Sequence, residues 1–382
     1  MFFHVGHDPL ENFPCHWKLG KFCINTDAGW QQTILGDSTV LYKGYADAAP
    51  LESLIPTILD QTVPQHIGNF CVLVLADDTL KIQTDLYRSY PIYIGHGINN
   101  LVPWPRTAWS DSTITVNSDL GVIENKFNVI GATTDLEIPY AHALDQVDRI
   151  LYKKIQQFLE HNTKPLKVFL SGGVDTMLVY SYLMRLGADF ELLECSHLDH
   201  DYFWRMNSHL IEKYWAYKQI HHWREPCVLA SGAPGDEFML RSPTTADLYL
   251  RSKNSSIPDL LLARPDCLHH AYFSQTKHQQ IFQEHDDIST VDTSTLIRDL
   301  CNIVVNDWQH WHLGNTLTWT PLRDLEIFKI MLRLPFEHAV DQIMDSRFSL
   351  DLIERNCAGA SRLVSDQKNT GAVLKNLNRL FC

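Results

Sequence analysis

Short runs rich in β-branched and aromatic residues, separated by turn residues, fill the first third of the chain: "FFHVGH" (2–7), "GNFCVLVLADDTLKIQTDLY" (68–87) and "YPIYIGHG" (90–97). Such side chains suit the pleated face of a sheet, so the pattern predicts strands, with "ADDT" as a hairpin connection. One segment breaks the series. In "PLESLIPTILDQTV" (50–63), Leu51, Leu54, Ile55 and Ile58 share one helical face. Near residue 135 the period changes. Leu144, Val147, Ile150, Leu151, Ile155 and Phe158 recur at three- and four-residue intervals and predict an amphipathic helix over 141–158. A strand at 166–170, a helix from Asp175 to Leu186 and a strand at 190–194 follow. Strand, helix, strand in about thirty residues is a βαβ unit, which requires a parallel sheet. A chain of 382 residues exceeds one ordinary core, and the expected division is 1–135 and 136–382.

Composition narrows this picture. With 45% hydrophobic and 20% charged residues the chain reads as globular, and its longest apolar runs fall short of a membrane span. "MFFHVGHDPLENF" has neither a basic region nor a small-residue cleavage pattern, so no secretory signal is expected. Nine scattered cysteines form no CxxC pair. Reduced thiols in a cytoplasmic protein are the expectation, without a disulfide framework or zinc site. A formal net charge of −13 argues against broad nucleic-acid or anionic-membrane binding, yet backbone N–H groups can still hold a nucleotide's phosphates. The histidine pairs in "SHLDHD", "IHHW" and "LHHAY" lack ligand spacing and read as surface or core residues, with His197 and Glu194 as weaker neighbours of a nucleotide.

Two turns carry the candidate chemistry. In "SGGVDT", between an apolar strand and a helix, Ser171, Gly172 and Gly173 would present successive N–H groups at a helix N-terminus, which favours an anion. Gly172 and Gly173 permit close approach and φ > 0. Asp175 has the wrong charge for phosphate but suits a phosphate-bound Mg²⁺. "CVLASGAPGDEF" (227–238) repeats the arrangement and adds Asp236, so two carboxylates could share one Mg²⁺.

"SGGVDT" resembles the SGGxDS signature of the PP-loop ATP pyrophosphatases, and "SGAPGDEF" resembles the SGxGxDE motif of their asparagine synthetase branch. "TPLRDLEIFKIMLRLP" (320–335) resembles that branch's PFLD segment, through Asp324 and Pro335, and "SDQKNTG" (365–371) resembles its late lysine motif. Residues 68–94 resemble a hairpin segment of class II glutamine amidotransferase domains. The resemblance implies an N-terminal Ntn-type αββα sandwich followed by a parallel-sheet PP-loop domain with a helical C-terminal part. It implies ATP and Mg²⁺ as cofactors. Ser171, Gly172, Gly173, Asp175, Thr176, Gly232, Gly235, Asp236 and Lys368 would bind nucleotide, with Asp175 and Asp236 on the metal and Asp175, Asp236 and Lys368 catalytic.

The chain also departs from that pattern. Position 2 is Phe2, where a glutaminase needs an N-terminal cysteine whose own amino group serves as base, so the glutaminase is expected to be lost, with Cys15 and Cys23 as core thiols. Ala233 stands where the branch carries Glu, Asp366 where it carries Arg, and only 36 residues separate Glu194 from Ser231. The resemblance thus implies an ATP-dependent amide ligase. It would join a small-molecule or peptide carboxylate to ammonia or an amine, as β-lactam synthetases and lasso-peptide cyclases do, and homodimerisation stays open. Two alternatives remain: a non-catalytic nucleotide-binding homologue, and a PP-loop enzyme acting on a nucleobase or tRNA. The second usually needs a cysteine cluster or basic surface, and this chain has neither.

Overall fold

A computed structural model describes residues 3–60 without 12 and 27, 68–86 without 77, 92–94, 98–99, 106–107, 112–126, 136–194 without 171–172, 226–241 without 233–234, 245–246, 249–250, 253 and 316–364. Within them the chain is mixed α/β: two antiparallel sheets, then a parallel one, with helices packed against them.

The antiparallel part contains β1 (Phe3–Gly6), β2 (Cys15–Leu19), β3 (Phe22–Thr26), β4 (Gln31–Leu35), β5 (Ser38–Ala46), α1 (Leu51–Asp60), β6 (Gly68–Ala76), β7 (Thr79–Thr84), β8 (Tyr93–Ile94), β9 (Ile98–Asn99), β10 (Arg106–Thr107), β11 (Ser112–Val116) and β12 (Val122–Lys126). One sheet runs β10-β8-β9-β1-β3-β2 and the other β12-β11-β7-β6-β5-β4. Phe3, Val5, Phe22 and Ile24 of the first meet Leu41, Leu73, Ile82 and Ile114 of the second. The second sheet's other face sets Val40, Tyr42, Phe70, Val72 and Val74 against Leu51, Ile55 and Ile58 of α1. β6 is therefore buried on both faces, which explains why its sequence is a continuous apolar run rather than an alternation. The hairpin expected at "ADDT" is present, with Ala76 opposite Thr79.

Of the expected αββα layering, α1 supplies one helical layer. At β3 the first sheet's outer face is covered instead by the loop after β1. There Asn25, fully buried, accepts from Leu10 N (2.8 Å) and donates to Asp8 O (3.3 Å).

The parallel part contains α2 (Tyr140–His161), β13 (Leu166–Leu170), α3 (Val174–Arg185), β14 (Glu191–Glu194), β15 (Cys227–Ala230), α4 (Gly235–Phe238), β16 (Thr316–Trp319), α5 (Leu325–Met331), α6 (Phe336–Asp345) and α7 (Arg347–Asn356). The sheet order is β14-β13-β15-β16, every neighbour parallel. The amphipathic helix expected over 141–158 is α2, with Leu144, Val147, Leu151, Ile155 and Phe158 buried. α3 differs from it. Residues 176–183 are all buried, because it lies between the sheet and α7, where Asn356 donates to the Ser181 hydroxyl (3.0 Å). Among the described residues, no helix is long and apolar enough to cross a membrane.

The two parts meet through a buried polar joint. Lys154 Nζ on α2 pairs with Asp47 (3.2 Å) and Asp324 (3.3 Å) and donates to Arg323 O (2.9 Å). The Arg323 guanidinium faces Asp85 (3.5 Å) and donates to Gly68 O, both on the antiparallel side. Asp324 also caps α5, accepting from Glu326 N at 2.9 Å. An aromatic column runs alongside: Tyr45 packs edge-on against Phe158, which stacks on Trp319 at 3.9 Å.

Candidate functional site

In an open parallel sheet, the carboxyl ends of the strands form a crevice where the strand order reverses. From β13 the chain passes through α3 to β14 on one side, while β15 pairs on the other, so the reversal falls between β13 and β15. Both candidate turns begin there, one after Leu170 and the other after Ala230.

Gly173 caps α3 with φ −72°, extended backbone that any residue adopts, so the expectation that it serves a left-handed conformation does not hold. Thr176 is buried, and its hydroxyl donates to Gly173 O (3.0 Å), closing the first turn of α3. Asp175 stands in that turn. The second motif packs directly on it. A Cβ on Gly232 would lie 2.5 Å from Asp175 C and Thr176 N, and one on Gly235 would lie 2.5 Å from Asp175 Cγ. The two glycines are needed for close approach of one turn to the other.

The structure adds Arg241 to the site. α4 lasts one turn, and the chain then reverses at Leu240, whose φ is +57°. Met239 N bonds Gly235 O (2.9 Å) and Arg241 N bonds Asp236 O (2.6 Å), which brings residue 241 back over the helix start. The Arg241 guanidinium donates to Asp175 Oδ2 (2.8 Å) and to Asp236 Oδ1. Its side chain is 10% exposed and Asp175's is 16%, whereas Asp236 is the open member at 37%. The only sequence signal was an arginine five places after Asp236, across an apolar run that gives no hint of a reversal.

Charge at this cluster is uneven. Burial pushes the Asp175 carboxyl well above the usual carboxylate range; Arg241 pulls against that, and the charges of Asp236 and Glu237 add to it. Burial also raises Asp236, but Arg241 and the hydrogen bonds from Asp175 and Arg241 outweigh it, and Asp236 sits below its usual value. Asp175 is therefore the member that takes a proton first.

The donor set fits a divalent cation that draws its remaining ligands from elsewhere. Among the described residues no cluster of three or more His, Cys, Asp or Glu side chains forms a cage. Two carboxylates nonetheless suffice for a Mg²⁺ that keeps waters and phosphate oxygens. Asp175 Oδ1 is buried without a hydrogen-bond partner among the described residues, as an oxygen reserved for an absent ligand would be.

Several expected residues (Ser171, Gly172, His197, Ala233, Asp366 and Lys368) lie outside the described residues, and of Glu194 only the backbone, closing β14, is described. Asp324 and Pro335 are structural, as the caps of α5 and α6. Cys23 is buried, and burial, with Asp8 adding to it, pushes its thiol up. Cys15, expected in the core, is half-buried because β2 is an edge strand that exposes alternate residues. No protein-family model matches the chain, and no curated protein matches it.

Proposed function

We propose that this chain is an ATP-dependent ligase that forms an amide or related C–N bond through an acyl-adenylate. The carrying observation is the convergence of Asp175 and Asp236 at the strand-order reversal of a parallel sheet, from turns locked together at Gly232 and Gly235. The motif resemblance adds the chemical class. A substrate carboxylate oxygen would attack the α-phosphorus of ATP, the bond to the β-phosphate oxygen would break, and pyrophosphate would leave. An amine would then attack the acyl carbon and displace AMP.

In this reading Asp175 and Asp236 would hold Mg²⁺, which would supply charge neutralisation for the departing pyrophosphate. By the motif resemblance, the N–H groups of 171–173 would cradle phosphate. Lys368 places positive charge by the α-phosphate, a role that rests on the resemblance alone. Positioning, not covalent chemistry, is the protein's main contribution. The amine comes from ammonia or the acceptor itself. Neither Cys15 nor Cys23 suits a nucleophile, the first sitting within an edge strand and the second a buried thiol that burial keeps protonated.

Isotope exchange between pyrophosphate and ATP, run over a panel of carboxylates, tests the reading. Exchange is expected only with a cognate carboxylate, falling about 10²-fold or more in Asp175→Asn, as loss of a preorganised charge group does. Full exchange in that variant overturns the metal assignment. One observation favours a second reading. Arg241 lies across both carboxylates, as it could in a homologue that binds nucleotide without turning it over. ATP binding without exchange on any carboxylate would decide for that reading.

A further inference from the structure

We propose that Arg241 is the resident counter-cation of this site, and that its guanidinium and a divalent cation occupy the Asp175–Asp236 pair in exchange. The proposal rests on the ligase reading for the metal, but concerns what this chain alone does at the carboxylates.

Three observations carry it. The first is oxygen accounting. The guanidinium holds Asp175 Oδ2 and Asp236 Oδ1, leaving Asp175 Oδ1 buried and unpartnered. A Mg²⁺ held by the pair would need carboxylate oxygens of both residues as ligands. A guanidinium bonded to both carboxylates fills the space between them, so the two cations exclude each other.

The second is charge. One guanidinium faces two carboxyl groups, Asp175 and Asp236. A single positive charge undercompensates that pair, and a divalent ion brings twice as much. The exchange is therefore favourable once the cost of freeing a largely buried arginine is met.

The third is the backbone. Leu240 is fully buried and left-handed at φ +57°, a conformation that costs a side-chain-bearing residue roughly 1–2 kcal/mol. Had the helix run on, Arg241 would have been carried away from Asp236. The strained reversal delivers the guanidinium onto the carboxylates, and a reversal is also a place where a residue can leave without unravelling a longer helix.

Mn²⁺ binding, followed by its electron paramagnetic resonance on the full chain with and without inorganic pyrophosphate, tests this. Thermal denaturation with and without Mn²⁺ is run alongside. Arg241→Met is expected to bind Mn²⁺ about tenfold or more tightly than the unaltered protein, and to gain more in melting temperature from the metal, because no internal cation competes. Arg241→Lys, whose ammonium is a point charge rather than a fork, is expected to fall between. It carries the test if the Met variant fails to fold without metal. Equal or weaker Mn²⁺ binding in both variants overturns the exchange, and pyrophosphate–ATP exchange by the unaltered protein would leave the ligase reading standing. Absence of Mn²⁺ binding in every protein, with pyrophosphate present, overturns the exchange together with the metal assignment.

Discussion

A single methyl group at residue 232 would push the two motif turns apart. Its neighbours there are backbone atoms, Asp175 C and Thr176 N at 2.5 Å, which cannot rotate away. At Gly235 the nearest atoms belong to the Asp175 and Leu322 side chains, which can yield somewhat. Gly232→Ala is therefore expected to cost about 1–3 kcal/mol, as overpacking of a tight interior does, and more than Gly235→Ala. Urea denaturation of both variants gives the order, and a Gly232→Ala midpoint equal to that of the unaltered protein would contradict the packing. Both glycines are visible in the sequence as motif positions, and the structure adds that they admit Asp175.

Helix ends show a comparable economy at the junction of α6 and α7. Ser346 closes the first and opens the second with φ +56°, and its side chain makes no capping bond. A left-handed non-glycine residue costs roughly 1–2 kcal/mol, whereas glycine's extra freedom in the unfolded chain costs about 0.5–1 kcal/mol. The first effect is the larger, so Ser346→Gly is expected to stabilise by about 0.5–1 kcal/mol, read as a raised thermal midpoint; a lowered one would contradict it. Element legibility followed burial. α2 has one buried face and announced itself by period. β5, β11 and β16 are less legible, because each pairs with a strand well removed from it along the chain and its apolar positions have meaning only against that partner.

For the molecule as a whole, Lys154 stands at the joint between the antiparallel and parallel parts, its Nζ shared by Asp47 and Asp324 with all three side chains largely buried. Removing the cation leaves two buried carboxylates without it. Lys154→Met is therefore expected to destabilise by about 3–5 kcal/mol, the usual result of breaking a buried pair from one side. Chemical denaturation measures this, and a loss under about 1 kcal/mol would show the joint to be solvated. The sequence by itself determined the change of period near residue 135, the βαβ unit and the two acidic turns, since each is written in local spacing. Only the tertiary structure decided that β15 pairs beside β13, that Gly232 and Gly235 lock onto Asp175, and that Arg241 folds back across both carboxylates. The reason is physical: hydrophobic period and turn chemistry act over a few residues, whereas strand order, close packing and the pairing of buried charges depend on groups far apart along the chain, 66 residues in the case of Asp175 and Arg241.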